Sequence, residues 1–372
     1  MRFTFEAKLS ALCAAMVVAS GALAAPFTPG NVVVYRVGDG AAGLLNTGAA
    51  VFLDEFSPSG ALVQSVPLPA TAVGNNRQLI ASGTSTSEGL LSRTADGQCL
   101  LAAGYARDLG GVGSLSSTAG AAVPRTVALI GASASIDTRT ALADAADGNN
   151  PRGVAGLSCS GAFWFAGGAG GVRTFEIAAT TSTQVSTTLT NVRQPAIFAG
   201  QLYISTGVGT AVRIGTVGSG LPTTSGQVIA ALPGFSLLGS PYAYVLADLS
   251  DTTVGVDTLY VADDSATALS KYTLSGGNWA LTGTVGADAD DYRGLTASII
   301  GTTVALFAVR NGGNSAPGGG QLVTLVDTSG YNGTLTGMPS LLATAASNTA
   351  FRGVAFAPVA LSDLIFANGF ES

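Results

Sequence analysis

The chain has no histidine in 372 residues. This excludes Ser-His-Asp and Cys-His nucleophiles, histidine general bases and histidine-ligated zinc. Lysine is almost missing as well: Lys8 and Lys271 are the only two among 16 basic residues. Charged residues make up 10% of the chain, and the net charge is −6. A charge-poor, acidic chain lacks the basic surface that nucleic acid or an anionic membrane requires. Past the first two dozen residues, no apolar run reaches the roughly 18–20 residues of a membrane-spanning helix. No helix beyond that point has a convincing 3.6-residue apolar stripe.

What the chain has instead is glycine, 51 residues of it, among 47% hydrophobic residues. Glycine at this density between short apolar runs suits tight turns that need positive φ. The amino terminus reads as an export signal over residues 1–24. Arg2 and Lys8 form the positive end, Leu12–Ala19 the apolar stretch, and Ala22-Leu23-Ala24 the small-x-small cleavage site. Cys13 falls inside it, and Leu12 before it does not fit a lipidation site. Export to the periplasm, cell surface or medium is therefore expected, and it permits a disulfide between the two remaining cysteines, Cys99 and Cys159. Both lie beside a first hairpin turn in adjacent repeats, so contact is feasible. The alternative is two small buried apolar side chains.

The repeat itself is a short phrase: Pro151-Arg152-Gly153-Val154-Ala155, Tyr292-Arg293-Gly294-Leu295-Thr296 and Phe351-Arg352-Gly353-Val354-Ala355. Ser87-Glu88-Gly89-Leu90 and Arg193-Gln194-Pro195-Ala196 are looser copies. Each copy opens a run of alternating apolar residues, about four short strands in all. The clearest unit reads Tyr242–Asp248, Thr258–Asp263, Leu269–Leu274 and Trp279–Val285. Openings recur every 41 to 64 residues by position in the sequence, a spacing typical of propeller blades. The last strand, Phe351–Val359, lacks partners, while Asn31–Val37, Val51–Phe56 and Ala61–Leu68 lack an innermost strand. Joining the two ends in one blade closes a ring and removes two free sheet edges. The fold class expected is all-β, a six-bladed β-propeller over residues 25–360, followed by a short tail, 361–372. Membrane barrels need longer strands, and a β-helix repeats at about half this interval.

Leu259-Tyr260-Val261-Ala262-Asp263 followed by Leu269-Ser270-Lys271-Tyr272 resembles the blade motif of NHL-like and related six-bladed propellers. The likeness covers one blade well and implies fold rather than function. The tail Ser362-Asp363-Leu364-Ile365-Phe366-Ala367-Asn368-Gly369-Phe370-Glu371 resembles an appended segment of exported Gram-negative proteins. Alternatively, it packs Ile365, Phe366 and Phe370 on the outside of the ring.

In a propeller, the loops leading into the innermost strands share one face. Arg152, Arg193, Arg293 and Arg352 are then expected around one mouth, with Glu88 at the matching place. Clustered guanidiniums recognise carboxylate, phosphate or sulfate. The competing expectation is that each pairs with an aspartate of a neighbouring blade, since Asp144 and Asp147 precede Arg152, and Asp288, Asp290 and Asp291 precede Arg293. Those aspartates are also weak calcium candidates, calcium being the one ion such clusters could hold, though their spacing fits no known calcium loop. No other cofactor is expected. Asp39, Asp108 and Asp263, after second strands, complete the candidate rim on the same face. Glu88 is similar to the metal-binding glutamate of gluconolactonase-type propellers, which implies a calcium-dependent lactonase; the matching Asn and Asp ligands are not evident. Three readings stay open: a monomeric binding protein for a polar or anionic extracellular ligand or protein, a hydrolase in the channel, or a scaffold.

Overall fold

The computed structural model describes residues 24–265, 268–287, 290–311 and 318–362. Most of the expected signal segment, nearly all of the tail and Asp288 lie outside these. Six antiparallel four-stranded sheets surround one axis as a β-propeller. Blade 1 is the split one: Ala350–Phe356 is innermost, followed outward by Val32–Val37, Val51–Phe56 and Leu62–Pro67. Its closing register pairs Val32 with Phe356 and Val34 with Val354, so the two ends of the chain share a sheet.

Blade 2 comprises Ser92–Arg93, Cys99–Tyr105, Arg125–Gly131 and Ile136–Leu142. Blade 3 runs through Pro151–Gly156, Phe163–Gly167, Val172–Phe175 and Thr183–Ser186. Blade 4 has Pro195–Phe198, Gln201–Ser205, Ile214–Val217 and Ile229–Ala231. Blade 5 is Pro241–Ala247, Thr258–Asp263, Ala268–Ser275 and Asn278–Val285. Gly294–Ile300, Thr303–Arg310, Gln321–Asp327 and Ser340–Thr344 make blade 6. Strand boundaries differ from the sequence reading by a residue or two where a bulge or turn interrupts the alternation, and by three at Ile214, which starts later than expected, and at Phe356, which ends the last strand short of Val359.

Alternation decides the packing. Side chains on the two faces of each blade meet the blades on either side, so the core is distributed over the six interfaces. Val33, Tyr35 and Leu53 of blade 1 pack on Leu100, Ala128 and Ile130 of blade 2. Leu101, Val127 and Leu129 turn the other way, onto Val154, Phe163 and Phe165 of blade 3. The ring closes where Val32, Val34 and Phe356 meet Phe307, Val309 and Leu322 of blade 6. Blades 2 and 3 are also joined covalently: Cys99 and Cys159 form a disulfide with Cα atoms 5.6 Å apart, spanning 60 residues of sequence.

The Arg-Gly phrase has a geometric origin. Around the axis the innermost strands approach so closely that a Cβ on Gly353 would sit 2.4 Å from the Gly89 carbonyl oxygen, and one on Gly294 3.0 Å from Gly353 Cα. Glycine is required there by space.

Candidate functional site

Arg152 and Arg352 are aimed by β-bulges. In blade 3 Pro151 faces Gly167 and Gly153 faces Ala166, which leaves Arg152 as the extra residue. In blade 1 Phe351 faces Arg36 and Val354 faces Val34, which again inserts one residue at Arg352-Gly353. In blade 6 the Arg293 N–H donates to the Val309 carbonyl, and Gly294 pairs with that same Val309. An extra residue kinks the strand and re-aims its side chain. Blade 5 also bulges, between Pro241 and Tyr244, but carries Tyr242 at the matching place. Tyr242 is the ring member that the Arg-Gly phrase does not mark. The Pro241-Tyr242-Ala243 phrase, with a small residue following, was the available signal.

Arg152, Arg193, Arg293 and Arg352 do converge. Arg193 Cζ lies 3.7 Å from the centre of the Tyr242 ring and Arg293 Cζ 5.4 Å from it, so two guanidiniums from different blades share one aromatic ring. Arg152 and Arg352 are buried. Burial lowers the pKa of each to about 10; neighbouring cations, Arg193 for Arg152 and Arg293 for Arg352, push in the same direction, and Glu88 and Tyr242 push against it.

Their partners differ from the aspartates expected. Arg152 Nη1 donates to Asn191 Oδ1 (2.6 Å) and to the Val192 carbonyl, both leading into blade 4. Arg193 Nη1 donates to the Ser240 and Pro241 carbonyls at the opening of blade 5. Arg352 Nη2 donates to the Gly83 carbonyl, ahead of blade 2. Arg293 follows the charge-pairing pattern, through Asp264 of blade 5 at 3.3 Å. Asp144 pairs with Arg173, and Asp147 accepts the Gly120 N–H. Neutral oxygens thus serve Arg152 and Arg193. A carbonyl keeps the hydrogen bond without cancelling the charge.

Glu88 is enclosed in the same layer. Tyr105 Oη donates to Oε1 (2.6 Å) and the Ser82 N–H to Oε2 (2.9 Å). Desolvation raises its carboxyl pKa to about 7, against the lowering effect of these bonds and of Arg352. Tyr35 packs beside it with its hydroxyl on the Ala103 carbonyl, and burial raises the phenol pKa well above its ordinary value.

The remaining candidates are scattered around the rim. Asp39 caps its own turn through the Ala41 N–H, and Asp108 accepts from Gln78 Nε2. Asp263 accepts from the Ser240 and Ser265 N–H groups. Asp290 receives Arg310 Nη1, the Tyr292 hydroxyl and the Ala287 N–H. Asp291 lines a recess with Thr86, Arg293, Arg310 and Arg352. The recess measures about 20 Å³, room for one water-sized group. Among the described residues no three His, Cys, Asp or Glu side chains gather as a metal cluster. No helix among them is long and apolar enough to cross a membrane.

No protein family model and no curated protein matches the chain. Solved structures do resemble it in outline. One from Bacteroides uniformis, provisionally assigned as a 6-phosphogluconolactonase, aligns at 12% identity and TM-score 0.46 over 84% of this chain and 82% of that one. A chain of a nidogen/laminin complex aligns at 10% identity and TM-score 0.45, covering 88% and 98%. A GH74 enzyme of Niastella koreensis aligns at 15% identity and TM-score 0.48, covering 86% and 46%. At such identities and scores the likeness carries no functional information, and membership of the NHL-like group does not follow from it.

Proposed function

We propose that this chain is an exported, non-enzymatic binding protein whose arginine-lined mouth engages an anionic group of an extracellular ligand or partner. The observation that carries this reading is the crowding of like charges. Arg152 and Arg193 spend hydrogen bonds on uncharged oxygens, and the Arg193 and Arg293 guanidiniums disfavour the charge on buried Arg152 and Arg352, an effect that Glu88 offsets in part. A carboxylate or sulfate oxygen at the mouth would relieve that repulsion through charge-assisted hydrogen bonds. The Cys99–Cys159 disulfide supports an oxidising compartment outside the cytoplasm.

Arg193 and Arg293, both half-buried, are the side chains a ligand would reach first. Binding of the folded protein to immobilised polygalacturonate and to a sulfated polysaccharide tests the reading. Arg193→Gln with Arg293→Gln is expected to lower affinity for at least one of them about tenfold or more. Unchanged affinity in the double variant, or no binding of either polymer by the native protein, overturns it.

A second reading has its own observation: Arg152, Arg193 and Arg352 each bridge to oxygens of the next blade, as clasps would. A purely structural ring predicts that the double variant melts earlier while binding no anion at the start. The lactonase alternative finds less support, because Tyr105 and Ser82 already engage both oxygens of Glu88. Turnover of lactones that a chelator abolishes would revive it.

A further inference from the structure

The far end of the axis is open where the mouth is crowded. There the later halves of the innermost strands surround a cavity of about 380 Å³, within the roughly 300–1,000 Å³ of small-molecule sites. Its wall is built from Leu91, Ala155, Ala196, Ala243, Leu295 and Val354, one small or aliphatic residue from each of the six blades. Two polar side chains of the wall are engaged by bonds of their own. Ser92 Oγ donates to the Val154 carbonyl, and the Tyr244 hydroxyl to the Gln194 carbonyl. Leu157, at the rim, is 49% exposed, an apolar surface with nothing yet covering it.

Arg93 is the one charged residue in this wall among the described residues. Its Nη1 donates to the Ala357 carbonyl at 3.2 Å, and its guanidinium lies 5.8 Å from the Phe356 ring centre. It forms no ion pair among the described residues. Asp96, the nearby acid, has its carboxylate occupied by Thr94 Oγ1 and by the Gln98 N–H and Nε2. Arg93 is exposed, so donors of its fork stay available to an anion at the rim.

We propose that this funnel is a second binding site, distinct from the mouth, for a small carboxylate with an apolar body. The hydrocarbon part enters between the six strands, where burial removes apolar surface from water. The carboxylate stays at the rim and takes the two parallel N–H donors of Arg93. Charge complementarity selects an acid over a neutral alcohol of the same length, since the funnel has no acidic group of its own.

Titration calorimetry with octanoate and 1-octanol tests this on the full, disulfide-bonded protein. Octanoate is expected to bind saturably, and octanol about tenfold more weakly. Arg93→Gln brings the two ligands within about twofold of each other. Thr296→Trp fills the half-buried wall of blade 6 and abolishes both. Should that variant fail to fold, Ala196→Leu, a smaller intrusion from blade 4, is expected to weaken both. Arg293→Gln, at the opposite end, leaves both unchanged, which separates failure of this site from failure of the mouth. Absence of saturable octanoate binding at millimolar concentration, an acid preference that survives Arg93→Gln, or binding unaffected by both wall variants overturns the proposal.

Discussion

The mouth and the funnel are made by the same six strands, and they share almost no chemistry. At the mouth, bulges and glycines draw the backbones together until Gly353 leaves no space for a Cβ and Gly294 only a tight one. Side chains there are forced off the axis, so long polar residues bridge outward to the next blade. Toward the other end the strands splay as they twist, and alanine, leucine and valine line an open volume. Buried charge therefore sits where the ring is tightest and apolar surface where it is widest. The two proposed sites are separable for the same reason: one end holds positive charge in a closely packed layer, the other holds space.

The harshest way to break this comparison is to break the ring that creates both ends. Deleting Ala350–Phe356 removes the strand that joins the chain ends and exposes the inner edge of blade 1. We expect loss of cooperative folding, read by circular dichroism melting, whereas removing residues 363–372 leaves the transition almost unchanged. Equal damage by the two deletions would mean that closure is not what holds the ring.

The Cys99–Cys159 bond tests the funnel end. It spans 60 residues and ties blade 2 to blade 3, and a loop of that length corresponds to about 4 kcal/mol of restricted unfolded-state entropy. Reduction, or Cys159→Ala, is expected to lower stability in denaturant titrations by about 2–4 kcal/mol. The funnel rim should loosen before the mouth, as hydrogen exchange at Leu157 against that at Gly353 would reveal.

Glu88 sharpens the comparison from the mouth. Its folded-state pKa is raised from 4.5 to about 7, so the folded protein holds that proton more tightly than the unfolded chain. An acid shifted upward contributes stability that is fully present below about pH 4.5, falls as pH rises toward 7, and stays lower above it. For a fully buried carboxyl the loss is up to about 3 kcal/mol. Glu88→Gln should flatten the profile between pH 5 and 8, while octanoate binding at the funnel keeps its own pH dependence. A profile identical to that of the native protein would show that Glu88 is not the titrating group.

The blade count and the closure of the ring are legible in the sequence. Alternation marks strands, and an innermost strand at one terminus with three orphans at the other leaves one way to pair them. Val51–Phe56, Gln201–Ser205 and Thr258–Asp263 match their expected limits, because each is bounded by turns on both sides. Convergence of the arginines was legible too, since equal positions in a ring must meet. Their partners were not. Asp144 and Asp147 precede Arg152 in sequence, yet Asn191 and Val192 of the following blade take its hydrogen bonds, because the bulge turns Arg152 forward around the ring.

Sequence alone thus determined periodicity, strand order and the residues that recur at each opening, all of which are local patterns repeated along the chain. Tertiary structure decided what those residues touch and where space is left. Contacts across blade interfaces join residues about fifty positions apart, and the gap between six strand edges depends on their twist and spacing. No stretch of sequence contains the funnel; it exists only because six separate segments fail to meet.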